Sequence, residues 1–288
     1  MHTLAVFACV VGVCAALTNK EIAQFVNGVK ITSTTSSHKI SATGMPEHTP
    51  GNVNPNDAKA QNYNFNIPKK PTYGSKGGCL PMGIIGVTIQ GVGIFNPLTA
   101  EACDAVLVEK MDKCNGHPDM RGAYHHHGVP TCLVNGTADQ FIGFALDGFP
   151  IYGAMASDLK REVTADDLDE CHGREVNGKY RYHVTKEWPY FLGCFKGAAN
   201  RQQGFMGSQA WCTNTKATHM CSCKDRKVFK KSPGRTDACP ERPQRPNGNG
   251  GPNAGTNNNG ATRRPHRPGG GSRPMRPFRP GPGTLVGF

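Results

Sequence analysis

Three adjacent histidines follow a tyrosine at Tyr124-His125-His126-His127, within a region rich in cysteine. Imidazole nitrogens are good ligands for zinc and copper. On a β-strand the side chains alternate between the two faces, so we expect His125 and His127 to share one face and Tyr124 and His126 the other. The stretch therefore predicts a transition-metal site, with copper or zinc as the cofactor.

A second stretch, Tyr180-Arg181-Tyr182-His183, repeats this pattern further along the chain. Both stretches follow an Asp-x-Cys-x-Gly sequence, and both have the form Gly-x-Tyr-x-x-His before a closing cysteine, Cys132 or Cys194. We therefore predict an internally duplicated Tyr/His strand unit. If the two halves pack about a pseudo-twofold axis, His125, His127 and His183 are expected to converge on one metal ion.

The candidate residues form two groups. The predicted metal ligands are His125, His127 and His183, followed by His126 and His117, with His172 as a weaker candidate. The predicted supporting residues are Asp112, Asp169, Tyr124 and Tyr182. An alternative is a buried hydrogen-bond network in which Asp112 or Asp169 satisfies His125 and His183. A further alternative is catalysis with a histidine as general base, but no obvious nucleophile accompanies it, so no catalytic residue is assigned.

The elements that must position these residues are mostly strands. Residues 79–95 are apolar and β-branched with interspersed glycines, which predicts two short core strands with close backbone approach. Residues 141–153 predict a hairpin with Asp147-Gly148 as its turn. The alternation of residues 63–67 predicts a strand, and residues 99–113 predict the main helix, with Thr99 as its N-cap. The fold class is therefore α+β and β-rich.

The first 17 residues predict a secretory signal peptide, because a short apolar run is followed by small residues and then polar ones. We therefore expect a secreted, extracellular protein. An even number of cysteines remains after residue 17, which indicates a disulfide framework in an oxidising compartment. These cysteines are Cys79, Cys103, Cys114, Cys132, Cys171, Cys194, Cys212, Cys221, Cys223 and Cys239. The sequon at Asn135 predicts N-glycosylation.

Composition divides the rest of the chain. We expect an N-terminal extension at residues 18–75, a core domain at 76–197, a basic, cysteine-rich extension at 198–239 and a disordered tail at 240–288. The tail is rich in Arg, Pro, Gly and Asn. It has too few large apolar residues to offset its chain entropy, which is why disorder is expected.

The tail also carries much of the positive charge. It has eight arginines, no lysine and one glutamate, a net charge of +7 out of the +12 of the whole chain. The expected partners are acidic matrix proteins, sulfated polysaccharides or mineral surface anions. Nucleic acid is not expected, because the chain is secreted and the tail has few aromatic residues for base stacking. No membrane is expected either, since no segment supplies roughly twenty consecutive apolar residues.

Several motifs in order resemble the YHYH domain family, which is named for a Tyr-His-Tyr-His motif. They are PMGIIGV, FNPL, NGHPD, ALDGFPIYG, LDECHGR and YFLGCFKG, together with the stretches 122–128 and 178–185. The resemblance covers roughly residues 60 to 197 and implies a metal-linked role for the histidines. The chain departs from the motif at His126, where tyrosine is expected, and at Arg181, where histidine is expected. Arg181 leaves the second unit one imidazole short and places a cation where it would repel a metal.

These observations lead to a main hypothesis and two alternatives. The main hypothesis is a secreted extracellular matrix protein, similar to components of calcified shell matrices, with a metal-binding YHYH-type domain and a tail that binds acidic partners. The first alternative is a secreted copper- or zinc-dependent enzyme that uses the same histidines, with Tyr124 or Tyr182 near the metal. We favour a non-enzymatic role. A cationic antimicrobial protein is the other alternative, and it rests on charge alone.

Overall fold

The computed structural model describes residues 19–26, 28–78, 80–99, 103–199 and 205–206. This part of the chain is β-rich, as expected. The helices are α1 (Asn19–Ile22) and α2 (Ala105–Val108), with a 3₁₀ turn at Ala165–Asp167. The strands are β1 (Lys30–Ser33), β2 (Ser37–Ala42), β3 (Tyr63–Pro68), β4 (Tyr73–Gly78), β5 (Met82–Thr88), β6 (Gly93–Phe95), β7 (Gly116–Pro118), β8 (Tyr124–His126), β9 (Phe141–Ala145), β10 (Pro150–Tyr152), β11 (Met155–Ala156), β12 (Arg161–Glu162), β13 (Gly173–Val176), β14 (Lys179–His183), β15 (Phe195–Gly197) and β16 (Phe205–Met206).

The predicted signal peptide, nearly all of the basic extension and the whole tail lie outside the described residues. The boundaries expected at residues 75, 197 and 239 therefore stay predictions. Among the described residues, no helix has the length and apolar character needed to cross a membrane.

A nine-stranded sheet organises the core. Its order is β13-β14-β10-β9-β5-β6-β8-β7, and β16 also pairs with β5. The central strands β5 and β9 are antiparallel, and each forms a hairpin with the strand that follows it in sequence. On both sides of the centre, the outer hairpin joins the inner one through a parallel pair, β8 with β6 and β14 with β10. The Tyr/His strands therefore lie on opposite sides of the central pair.

The outer hairpins β7–β8 and β13–β14 have the same register. In β7–β8, Gly116 faces His126 and His117 faces His125. In β13–β14, the residues at the same places in the sequence pattern also face each other, Gly173 with Tyr182 and Arg174 with Arg181. The three paired positions of β7–β8 therefore have counterparts in β13–β14.

The predicted close approach of glycines in the core strands is present where β5 meets β9. A Cβ atom on Gly143 would lie 2.1 Å from the Val87 carbonyl oxygen, and one on Gly86 would lie 2.7 Å from the Phe144 carbonyl oxygen. Neither position has room for a larger residue, because Cβ atoms do not approach backbone atoms this closely. Gly86 and Gly143 thus allow β5 and β9 to pair closely at the centre of the sheet, with β6 and β10 as their outer neighbours.

The Asp-x-Cys-x-Gly sequence forms a tight turn before β7. Asp112 Oδ1 accepts hydrogen bonds from the backbone N–H groups of Cys114 and Gly116, and the Tyr124 hydroxyl donates to the same carboxylate. A Cβ atom on Gly116 would lie 2.3 Å from the Tyr124 hydroxyl oxygen, so only glycine leaves space for the tyrosine. The spacing of Asp, Cys, Gly and Tyr in the motif follows from this arrangement.

The second unit forms the same turn with the same partners. Asp169 Oδ1 accepts from the N–H groups of Cys171 and Gly173 and from the Tyr180 hydroxyl. A Cβ atom on Gly173 would lie 2.3 Å from the Tyr180 hydroxyl oxygen. The aspartates therefore fix turns and tyrosines, and they do not pair with His125 or His183 as the network alternative expected.

Disulfides close both units. Cys114 is bonded to Cys132 and Cys171 to Cys194, at sequence separations of 18 and 23, and Cys103 is also disulfide-bonded. The remaining predicted cysteines, Cys79, Cys212, Cys221, Cys223 and Cys239, lie outside the described residues.

The predicted helix over residues 99–113 is wrong in its extent. The described helix α2 is only Ala105–Val108, with Asp104 as its N-cap instead of Thr99, and the Asp104 side chain accepts from the Val106 N–H. Glu109 has extended backbone angles (φ −95°, ψ 145°), which end the helix after one turn. Ala105 is the one buried residue of this helix and Leu107 is 51% exposed, so the loose apolar periodicity of the segment does not correspond to a long buried helix face.

Two other predicted elements are confirmed. The hairpin over residues 141–153 is formed by β9 and β10, with Gly148 at a positive φ of 95° in its turn. The alternating strand is β3, in which the side chains of Tyr63, Phe65 and Ile67 are buried and belong to the main core. The N-terminal segment thus packs its alternating face onto the domain.

Candidate metal centre

Strand alternation places two imidazoles of the triple-histidine stretch on the same side of β8. The Nε2 atoms of His125 and His127 are 3.0 Å apart. His117 faces His125 from β7, and the Nε2 atoms of these two residues are 3.1 Å apart. All three imidazoles are buried, and their Nε2 atoms form a compact group that could hold a metal ion.

Each of the three imidazoles is oriented by a backbone carbonyl. His117 Nδ1 lies 3.1 Å from the Lys110 oxygen, His125 Nδ1 lies 2.9 Å from the Ala123 oxygen, and His127 Nδ1 lies 2.6 Å from the Asn96 oxygen. A carbonyl oxygen can only accept a hydrogen bond, so Nδ1 must carry the proton in all three residues. Each Nε2 lone pair is then directed at the other two imidazoles. This is how metal-binding histidines are held in proteins.

Burial keeps the imidazoles of His125 and His127 neutral. It lowers the pKa of His127 to about 4, with a smaller opposing effect from Glu109. The pKa of His125 lies well below its ordinary value, because of burial and then of the neighbouring imidazoles of His127 and His117. His125 also stacks on Phe95, with ring centroids 3.7 Å apart. Protonation of these Nε2 atoms is therefore unfavourable at neutral pH, and a metal ion is better suited than a proton to bridge them.

A carboxylate completes the group. Glu109 Oε2 lies 3.1 Å from His117 Nε2 and 3.5 Å from His127 Nε2. The residue reaches the imidazoles because helix α2 ends at Val108 and the chain turns toward the sheet. Glu109 was not among the sequence candidates, since no spacing or motif marks it and the predicted helix would have continued through it.

The residues present fit a transition metal. Zinc binds imidazole nitrogen at 2.0–2.1 Å in a tetrahedral site, which places neighbouring ligand atoms about 3.3 Å apart. The separations of His125 from His117 and His127, and of Glu109 from His117 and His127, are 3.0–3.5 Å and so close to this value. Imidazole-rich sites suit zinc and copper, and the set has no thiolate to favour a softer ion.

The other face of β8 has a structural function. His126 Nδ1 lies 3.1 Å from the Asn115 oxygen, so its ring points away from the three-histidine group. The Tyr124 hydroxyl donates to Asp112, and His48 Nε2 lies within hydrogen-bond distance of both. His48 also approaches Cys114 and Cys132, but these sulfurs form a disulfide and are not thiolate ligands. Tyr124 and Asp112 thus support the strand that carries the ligands.

The structure does not bring His183 to the group. His183 lies on β14, and four strands, β10, β9, β5 and β6, separate β14 from β8. Five strand spacings correspond to about 24 Å. The expected convergence of His125, His127 and His183 is therefore corrected: His117, from the same hairpin, takes the third position. Two predicted supporting residues also lie in the second half of the sheet, where Tyr182 donates to Asp147 and Asp169 holds Tyr180.

This fold and this centre define a β-rich, disulfide-bonded domain with a buried cluster of three histidines and one glutamate. Residues 64–165 and 153–197 match the family model described as YHYH protein, as the motifs predicted. The chain therefore contains a YHYH domain over residues 64–197. No curated protein and no solved structure matches the chain.

Proposed function

We propose that this chain is an extracellular protein whose YHYH domain binds one transition-metal ion, zinc or copper, through His117, His125 and His127, with Glu109 as the fourth ligand. One observation carries the proposal: three Nε2 lone pairs converge while each Nδ1 is committed to a backbone carbonyl. The sequence candidates His126 and His183 are not part of this ligand set.

The charge of the centre supports a cation. Glu109 places a carboxylate oxygen 3.1 and 3.5 Å from the Nε2 atoms of His117 and His127, and its side chain is 19% exposed. A divalent ion bound to the four groups would be attracted by this carboxylate.

An extracellular location has support from two features of the described residues. Disulfides at Cys114–Cys132 and Cys171–Cys194 are typical of proteins from oxidising compartments. The sequon residue Asn135 is exposed, as a glycosylation acceptor must be. With the signal-like first 17 residues, these features favour secretion.

The positive charge of the tail supports a proposal about its binding partners. Its eight arginines against one glutamate favour acidic matrix proteins, sulfated polysaccharides or mineral surface anions. We propose a role in a calcified extracellular matrix, in which the domain binds metal and the tail attaches the protein to acidic material.

A second candidate function is a secreted metalloenzyme. The Glu109 side chain is 19% exposed, more than those of His117 at 9% and His127 at 5%, so the carboxylate lies on the solvent side of the centre. A bound zinc ion would supply Lewis acidity and an acidic bound water. In that case Glu109 would hold and transfer a proton at Oε2, and the three histidines would act as ligands.

Metal analysis of the purified, full-length secreted protein tests the proposal. We expect about one zinc or copper ion per chain, loss of that ion in His125→Ala, and retention in His183→Ala, which is the matched control from the second half of the sheet. The proposal is wrong if no transition metal co-purifies and the His125→Ala variant binds added zinc and copper as the wild type does.

A further inference from the structure

The second half of the sheet has a cluster at the place that corresponds to the metal centre. His183 occupies the position of His127: its Nδ1 lies 2.8 Å from the Gly153 oxygen, as His127 Nδ1 lies 2.6 Å from the Asn96 oxygen. Asn96 follows β6 and Gly153 follows β10, so the two carbonyls also come from corresponding strands. His183 therefore has the same tautomer and orientation as a ligand of the first centre.

The other two ligand positions are arginines in this cluster. The register aligns Arg174 with His117 and Arg181 with His125. The Arg181 guanidinium lies over the ring of Tyr152, with Cζ 4.7 Å from the ring centroid. Phe95, against which His125 stacks, ends β6 as Tyr152 ends β10. The guanidinium of Arg181 thus lies against an aromatic ring in the way the imidazole of His125 does.

The arginines fulfil the function that a cation has in the first centre. The Nε atoms of Arg181 and Arg174 lie 3.1 and 3.4 Å from His183 Nε2 and donate to its lone pair. Guanidinium groups are permanently charged and carry donors only, so they can satisfy an imidazole lone pair without an added ion. In the first centre the corresponding lone pairs face other imidazoles and Glu109.

The second cluster also differs from the first centre in its local charges. Arg174 is paired with Asp158 at 2.6 Å, and Arg181 with Asp139 at 2.6 Å. Two guanidinium groups and two carboxylates sum to zero. The second cluster thus carries permanent cations at the positions that His117 and His125 occupy in the first centre.

We propose that Arg174, Arg181 and His183 form a second copy of the metal centre in which the two guanidinium groups replace the ion. This inference rests on the proposed metal binding at His117, His125 and His127. It implies that metal binds in one half of the sheet only. It also implies that the second half keeps its geometry without metal.

Zinc stoichiometry of three full-length proteins tests the proposal. The wild type is expected to bind about one zinc ion per chain. The double variant Arg174→His/Arg181→His restores three imidazoles beside Asp158 and is expected to bind about two. The reciprocal variant His117→Arg/His125→Arg places guanidinium groups in the first centre and is expected to fold but to bind none.

The outcomes separate this inference from the proposed function. If the wild type binds no zinc, metal binding fails and the inference falls with it. If the wild type binds zinc while the folded Arg174→His/Arg181→His variant binds no more than the wild type, only the inference is overturned. Circular dichroism establishes which variants are folded.

If the variants do not fold, hydrogen exchange on the wild type tests whether the second cluster depends on metal. Removal of zinc by EDTA is expected to raise amide exchange across residues 114–127 by at least about tenfold, because bound ligand stabilises the segment that holds it. Residues 171–183 are expected to show no change. An equal rise in both segments would overturn the proposal, since the second cluster would then depend on metal as well.

Discussion

The Tyr124 hydroxyl lies 2.9 Å from both carboxylate oxygens of Asp112, on the face of β8 opposite His125 and His127. Both residues are buried, and the same carboxylate also accepts from the backbone of Cys114 and Gly116. Burial alone would raise the pKa of Asp112, but these hydrogen bonds and that from Gly51 lower it overall. The pair therefore joins the turn before β7 to β8.

Substitution of Tyr124 by Phe is expected to lower the free energy of unfolding by about 1.5–3 kcal/mol, the usual contribution of a hydrogen bond to a charged group. The matched control is Tyr180→Phe, and a smaller loss is expected there because the Asp169 side chain is 24% exposed, against 3% for Asp112, so water can replace the lost hydrogen bond. Urea unfolding of both variants measures the difference. Equal losses would contradict the view that Tyr124 is the more important partner.

Substitution of Glu109 by Gln is expected to reduce zinc affinity at least about tenfold, because the proposed site loses its carboxylate ligand. Glu162→Gln, on the exposed strand β12, is the control for a change in overall charge. Competition with a chelating indicator measures the affinities. An unchanged zinc affinity in Glu109→Gln would assign Glu109 to proton transfer beside the metal and would remove it from the ligand set.

The stability of the domain is expected to fall in weak acid, in part because of His172. Burial, with a smaller contribution from His183, lowers the pKa of this imidazole to about 3. The unfolded chain binds a proton near pH 6.5 and the folded one does not, so stability falls as the pH drops below 6.5 and continues to fall toward about 3. The expected loss from this group is roughly 1.4 kcal/mol per pH unit.

The variant His172→Asn isolates this effect. Asparagine stands at the corresponding position of the first unit, Asn115, and both residues have a positive φ, 71° and 57°. With EDTA present, the variant is expected to lose about 2 kcal/mol less than the wild type between pH 6.5 and pH 5. Parallel stability curves for the two proteins would show that His172 does not titrate as its burial requires.

Deletion of residues 240–288 is expected to weaken binding to heparin and to lower the salt concentration at which the protein elutes, because most of the net charge is lost. A full-length variant with the eight tail arginines replaced by glutamine is the control for chain length, and it should elute with the deletion variant. Retained binding to an acidic matrix fraction after deletion would remove the proposed role of the tail.

Local patterns in the sequence predicted much of the sheet and part of the centre. The alternation of side chains correctly placed His125 and His127 together, and the apolar, glycine-containing run at residues 79–95 correctly predicted β5 and β6. These are properties of a few neighbouring residues, and burial of one face makes the strand register follow from them. The β9–β10 hairpin was predictable for the same reason, since Asp147-Gly148 specifies its turn.

The remaining ligands depend on long-range geometry that no local pattern contains. His183 seemed equivalent to His127 and was expected beside it, but the two halves meet through β5 and β9, which places the Tyr/His strands on opposite sides of the sheet. Glu109 becomes a neighbour of His117 only because a one-turn helix ends just before it. The length of that helix depends on the Asp104 cap and on tertiary packing, which outweigh helix propensity in so short a segment.

The Cys114–Cys132 disulfide encloses His117, His125 and His127 in one covalent ring. An oxidised chain therefore keeps the three imidazoles at high effective concentration even before the sheet forms. If the proposed site binds metal, capture of the ion is then expected early during folding, with the ring as a loose chelator. Glu109 and the carbonyl of Asn96 come from outside the ring, so only folding completes and orients the site. Because the unfolded ring also binds, metal stabilises the native domain by less than its native affinity alone would indicate.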